Sequence, residues 1–223
     1  MPDEKLVTDY ELEGPERGAD RAVLLAHGAG ADMHAATLTT VSAALAAAGV
    51  PALRFNFRYR SAGRNAPDRA PVLLAAVREA AAELARRTKL DPDRLVLGGR
   101  SMGGRMASIA VADVDDPLPA LGLVLLGYPL HPAGKPDNLR TEHFPRMRVP
   151  SLFVSGTRDS LAPRDSLLRE IPQIPGPVTV HWLESADHGF KPLKVSGLTQ
   201  ADVLVDAAAA VVDFVGALPG PSR

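Results

Sequence analysis

Leu95-Val-Leu-Gly-Gly-Arg-Ser101-Met-Gly-Gly-Arg105 is an apolar run that feeds a serine flanked by glycines and passes into a helix-compatible segment. Its inner residues, Gly99-Arg-Ser101-Met-Gly103, fit the pattern G-x-S-x-G. That pattern puts a serine at the tip of a sharp strand-to-helix turn, a nucleophile elbow, because small flanking residues let the backbone fold tightly beneath it. A hydroxyl raised off the sheet in this way can reach a carbonyl. The amide of the next residue, Met102, then points at the oxyanion that develops. Glycine and serine are common, so the match carries weight only with a strand before it, a helix after it and partners in the right order.

On both sides of this stretch the chain alternates between short apolar runs and helical patterns. Lys5 to Leu12 roughly alternates and reads as an edge strand ending at Gly14-Pro15. Arg21–Ala26 is a buried strand closed by His27-Gly28, and Pro51–Phe57 is the next. Thr37–Ala48 is a helix closed by Gly49, and Pro71–Thr88 is a long alanine-rich helix with proline in its first turn. After the serine come a helix over Arg105–Ala112 and strands at Leu121–Leu126, Ser151–Ser155 and Val178–Leu183. Helices are expected at Pro163–Ile171 and Leu198–Leu218. This order predicts an α/β fold, a doubly wound, mostly parallel sheet with helices on both faces. Gly127 to Val149 is the one long irregular stretch and holds four prolines. It is too short for a separate cap domain, and a loop of that length in a compact domain is often functional.

A chain of 223 residues fits one domain, 1–223, able to bury a core without staples. The absence of cysteine excludes disulfides, thiolate metal ligands and a cysteine nucleophile. A net charge of −1 and a pI near 6.6 give no general attraction to nucleic acid or anionic membrane. Met1-Pro-Asp-Glu-Lys5 lacks the basic-then-apolar pattern of a signal peptide, and no apolar run nears the roughly 18 residues of a membrane span. The expectation is a cytoplasmic protein acting on a small molecule, with no metal, cofactor, nucleic acid or membrane partner. The oligomeric state is not readable from the chain.

The elbow calls for an acid and then a histidine downstream. Strand Ser151–Ser155 runs into Gly156-Thr-Arg-Asp159, which puts Asp159 at the carboxyl edge of the sheet. The last strand is followed by Ala186-Asp187-His188-Gly189, and His188 alone among the six histidines follows both that strand and a credible acid. In this reading His188 takes the Ser101 proton and returns it to the leaving group, while Asp159 fixes the imidazole tautomer. Asp187 is a rival acid, although a sequence neighbour rarely reaches the adjacent imidazole productively. Asp165 reads as a first-turn helix charge. The loop His27-Gly-Ala-Gly-Ala31 follows an early strand, so the second oxyanion donor is the Ala29 amide, with Gly28 or Gly30 as alternatives. His27 itself reads as structural.

Taken together these residues resemble those of an α/β-hydrolase. More narrowly, the chain resembles a small dienelactone-hydrolase-like group whose relatives include testis-expressed protein 30 and subunit 3 of the non-specific-lethal chromatin complex. The segments that carry this are His27–His34, Leu53–Arg60, Gly99–Arg105, Gly127–Pro136, Leu139–His143, Val154–Asp159 and Ala186–Phe190. The resemblance implies a hydrolase fold with Ser101, Asp159 and His188 in the triad positions. It implies no substrate, and the best-known dienelactone hydrolases carry a cysteine where this chain has Ser101.

Arg58, Arg60 and Arg64 follow one strand, Arg100 precedes the serine, and Tyr128, His131, Lys135, Arg140 and His143 lie in the long loop. Of these, Arg58, Arg60, Arg100, Tyr128 and His131 are the candidate substrate contacts, favouring an anionic acyl or phosphate-bearing substrate. Arg100 has the alternative role of a brace beneath the elbow. The sequence therefore points to a serine hydrolase cleaving a carboxylic ester or thioester through an acyl-enzyme, with a non-catalytic binding or scaffold protein as the alternative. Dinucleotide binding by Gly28-Ala-Gly30 fails on spacing, because position 33 is methionine.

Overall fold

The computed structural model describes residues 6–220. Seven strands form one sheet: β1 (Tyr10–Glu13), β2 (Ala22–Ala26), β3 (Ala52–Phe55), β4 (Leu95–Arg100), β5 (Gly122–Leu126), β6 (Ser151–Gly156) and β7 (Val178–Leu183). Their order across the sheet is β1-β3-β2-β4-β5-β6-β7. Only β1 is antiparallel, pairing Tyr10 with Phe55 and Glu13 with Ala52 at the edge. The helices are α1 (Ala36–Ala47), α2 (Arg58–Ser61), α3 (Ala70–Thr88), α4 (Met102–Val111), α5 (Arg164–Glu170) and α6 (Gln200–Ala217). This is the doubly wound α/β architecture that the alternation predicts.

Strands β2 to β6 are buried along nearly their whole length, so their sequences show no inside-outside alternation. The pleat still divides them. Leu24, Leu53, Leu97 and Leu123 join the core under α3 and α4. Val23, Val96, Val124 and Leu152 join the core under α1 and α6. A fully buried Leu or Val contributes about 1.5–3 kcal/mol, so both faces are needed to hold the sheet. Among the described residues, no helix is long and apolar enough to cross a membrane.

Some expectations shift. Part of the first segment, Lys5, lies outside the described residues, and the edge strand begins only at Tyr10. Ahead of it the Leu6 and Val7 amides donate to the Glu79 carboxylate, and Arg54 holds the strand itself. Its almost fully buried guanidinium lies 2.9 Å from both Glu11 and Glu13, tying β1 to β3. Strand β3 stops at Phe55 and the chain turns into the one-turn helix α2, which the sequence pattern did not suggest. Helix α4 starts at Met102, directly after the serine, instead of at Arg105. Between β5 and β6 no inserted domain stands over the sheet. The segment instead sends Tyr128, Leu130, Phe144 and Met147 into the core and contains a single 3-10 turn, Phe144–Arg146.

The parallel pairing of β2 with β4 sets Ala26 opposite Gly99. Gly99 has φ +146°, and a Cβ there would overlap the Ala26 carbonyl oxygen; one at Gly103, at the start of α4, would overlap the same oxygen. Neither clash can be relieved by a side-chain movement, because backbone meets backbone. Gly99→Ala is expected to destabilise the protein by about 3 kcal/mol, the upper end of overpacking costs, read as a lowered urea midpoint or loss of soluble protein.

Candidate active site

Ser101 occupies the turn between β4 and α4 with φ 48° and ψ −110°. Backbone in such a sparsely populated region costs on the order of 1–3 kcal/mol and persists only when its surroundings over-determine it. Here they do. The Ser101 amide donates to Leu126 O at 2.9 Å, its carbonyl accepts from the Arg105 amide at 3.0 Å, and the glycines beneath allow β2 to close in.

The Ser101 hydroxyl lies 3.0 Å from His188 Nε2. On the other side of the ring, Nδ1 lies 2.8 Å from Asp159 Oδ2 and 3.0 Å from Oδ1. Asp159 leaves the end of β6 on a short turn, its side chain fully buried, and also accepts from the Leu161 amide at 2.8 Å. The His188 side chain is one quarter exposed, so one edge faces solvent while the other is held. The loop carrying it is pinned by a bridge between Ala186 and Pro192. Asp187, the rival acid, caps that loop: its Oδ1 accepts from the amides of Gly189 and Lys191. Asp165 is an exposed first-turn charge of α5.

Met102 is the first residue of α4, where amides have no intrahelical acceptor. Neither its amide nor that of Ala29 finds an acceptor among the described residues. Gly28 holds the loop against the elbow, since a Cβ there would stand 3.6 Å from the Ser101 Cβ. His27 is fully buried and fastens this loop to the N-cap of α2: its Nε2 accepts from the Phe57 amide at 3.1 Å and its Nδ1 donates to Gly28 O at 2.8 Å. Burial lowers its pKa, against the opposing effect of the Gly28 carbonyl, and the Nε2 that accepts from Phe57 requires the neutral ring.

A cleft of about 410 Å³ opens over Ser101. Ala29, Met102 and His131 line it, as do Met106, Leu161, Asp68, Arg105 and Arg140. The other four substrate candidates are not brought to it. Tyr128 is a core residue, packed on Phe144 and Phe153, with its hydroxyl donating to Arg140 O. Arg100 is the brace: it donates to Leu126 O and Gly127 O and stacks 4.6 Å from the Phe190 ring, two residues past His188. Burial lowers its pKa to about 10, opposed by Asp159 and Asp187, so it stays charged at neutral pH. Arg58 and Arg60 sit on α2, away from the cleft lining, and Arg60 is spent on Arg64 O and Asn65. Arg105 was missed in the sequence, although its spacing could have found it. Four residues after Ser101 on a helix is the same face, one turn along.

The Alpha/beta hydrolase domain family matches residues 19–216. The chain belongs to the α/β-hydrolase family. Solved structures with this fold include an alpha-beta serine hydrolase homologue from Coxiella burnetii (18% identity, TM-score 0.70, covering 96% of this chain and 97% of that one). A dienelactone hydrolase from Anabaena variabilis is similar at 21% identity and TM-score 0.71, over 94% and 91% of the two chains. An a/b serine hydrolase without lid from Xanthomonas campestris matches at 19% identity and TM-score 0.68, over 100% and 99%. At these identities the likeness is one of fold.

This α/β-hydrolase contains a second serine–histidine pair, Ser108 with His143 Nε2 at 2.8 Å. The Ser108 hydroxyl, with its single proton, also donates to Arg105 O at 2.9 Å, so the histidine must be the donor to the serine. The pair is buried behind α4, and burial together with Arg105 and Arg146 lowers the His143 pKa to about 4. It packs the helix and cannot take a proton from Ser108 in this arrangement. Among the described residues no group of three or more His, Cys, Asp or Glu is placed to hold a metal ion.

A histidine whose folded pKa is depressed stabilises the fold fully above its unfolded value, and that contribution is lost as pH falls through the folded value. For His143 the loss runs from pH 6.5 down through about 4, and His27 adds to it in the same direction. Urea unfolding across that range should therefore show stability falling with pH in wild type. His143→Gln should give a shallower slope, and identical slopes would show that the ring is not held neutral.

Proposed function

We propose that this chain is a serine hydrolase that cleaves a small carboxylic ester or thioester through an acyl-enzyme, with Ser101 as nucleophile, His188 as base and acid, and Asp159 as the group that orients His188. The observation that carries this reading is the continuous line of contacts from Ser101 Oγ through both ring nitrogens of His188 to the buried Asp159. With Nδ1–H donated to Asp159, Nε2 is the free acceptor, and the Ser101 proton moves to it as Oγ attacks the carbonyl carbon. The oxyanion then lies toward the Met102 and Ala29 amides. Collapse expels an alcohol or thiol that takes the proton from His188. Water, deprotonated by the same nitrogen, releases the acid and restores Ser101.

A narrower kinship with the group of testis-expressed protein 30 belongs to this reading and is supported by the segments quoted above. A small-molecule substrate and a cytoplasmic setting also go with it, the first supported by the hydrolase family, and a net charge of −1 supports the expectation of no nucleic acid or anionic membrane partner.

A fluorophosphonate probe should label the folded wild-type protein and leave Ser101→Ala unlabelled. His188→Ala and Asp159→Asn should each lower kcat on an activated ester roughly 10³-fold or more. If the folded wild type takes up no probe, the binding or scaffold reading replaces this one.

A further inference from the structure

Charge in this protein is, for the most part, answered locally. A groove of about 690 Å³ between β1 and α3 is rich in charge, but Glu83 there holds Arg86 and Arg87 at 2.7 Å each. Arg54 has its two glutamates and Arg100 its two carbonyls. The cleft over Ser101 departs from this pattern. Arg105 and Arg140 both line it, and neither guanidinium has an ion pair or hydrogen bond among the described residues. Arg105 Nε is buried with no partner. The two are close enough that Arg105 disfavours the charged form of Arg140, adding to its partial burial. The one acid on the cleft wall, Asp68, meets Arg64 at 2.7 Å through Oδ1, and its Oδ2 is buried without a hydrogen bond to Arg105, Arg140 or any other described residue.

Two partly buried like charges side by side are unfavourable unless something of opposite charge joins them. Guanidinium groups present a planar fork that matches the oxygens of a carboxylate or phosphate. Arg105 stands one helical turn from Ser101, about 5 Å along the axis of α4, and the Arg105 amide donates to the Ser101 carbonyl. We propose that Arg105 and Arg140 form an anion-binding subsite, so that the preferred ester or thioester carries an anionic oxygen group a few bonds from the carbonyl that Ser101 attacks. This rests on the serine-hydrolase reading, and the test separates the two.

Hydrolysis of p-nitrophenyl hemisuccinate is compared with that of p-nitrophenyl 4-methylpentanoate, a neutral ester of the same shape. A second pair, 4-acetoxyphenyl phosphate against phenyl acetate, reads an anion on the leaving-group side. Wild type should prefer the anionic member of at least one pair. Arg105→Met and Arg140→Met should each reduce that kcat/KM ratio about 30-fold, the size of a charge-assisted contact. Arg105→Lys should keep part of the preference that Arg105→Met loses, a rescue by charge that a purely structural role for the arginine would not give.

In a Ser101→Ala background, which needs no turnover, monomethyl succinate should bind more tightly than methyl 4-methylpentanoate by calorimetry. That difference should vanish in the variant that also carries Arg105→Met and Arg140→Met, with thermal melts verifying that each variant is folded. Anion binding without probe labelling of wild type would sink the hydrolase reading and keep the subsite. Labelling with no anionic preference in either pair, or a preference unmoved by the arginine variants, overturns the subsite.

Discussion

The rest of the site depends on the close approach of two backbones, Gly99 and Gly103 against the carbonyl of Ala26. It brings the end of β4 hard against the end of β2, at the point where the sheet order reverses and the connections leave to opposite faces. A crevice opens outside the strand ends at such a reversal, and ligands bind there in open α/β sheets. The register of Ala26 with Gly99 then sets the His27–Ala31 loop beside Ser101. With larger side chains beneath the turn, the loop and the serine would be held apart and their amides could not converge.

The second organising influence is the handling of buried charge. Arg100 lies under the turn, fixed by two carbonyls and the face of Phe190, and so joins the ends of β4 and β5 to the segment that carries His188. His27 does the same on the opposite side, joining the glycine loop to the N-cap of α2. Each uses a polar side chain bonded to backbone groups to fix the relation between loops that have little apolar surface of their own. In the cleft between them, the guanidinium groups of Arg105 and Arg140 have no such partner among the described residues.

Much of the fold was legible because buried parallel strands leave short apolar runs and amphipathic helices leave a longer period. The limits of elements were less so. The late start of β1 goes with a tertiary contact, the Glu79 carboxylate that takes the Leu6 and Val7 amides ahead of the strand, which no local pattern records. Ser101, Asp159 and His188 were legible because each follows a strand end in the expected chain order, and the structure brings their side chains together. Tyr128 and Arg100 were read toward the cleft because loop position says nothing about which way a side chain turns. Arg105 was passed over because it looked like part of a helix, which it is.

The sequence by itself determined the alternation of strands and helices, the serine flanked by glycines, and the exclusion of cysteine chemistry, because these depend on residue type and spacing alone. Only the tertiary structure decided which of two serine–histidine pairs faces the cleft. Only it separated the arginine that braces the turn from the two that line the cleft. Those distinctions rest on burial and on which hydrogen-bond partners lie within about 3 Å, and residues as far apart in the chain as Ser101 and His188 acquire such partners only when the sheet is assembled.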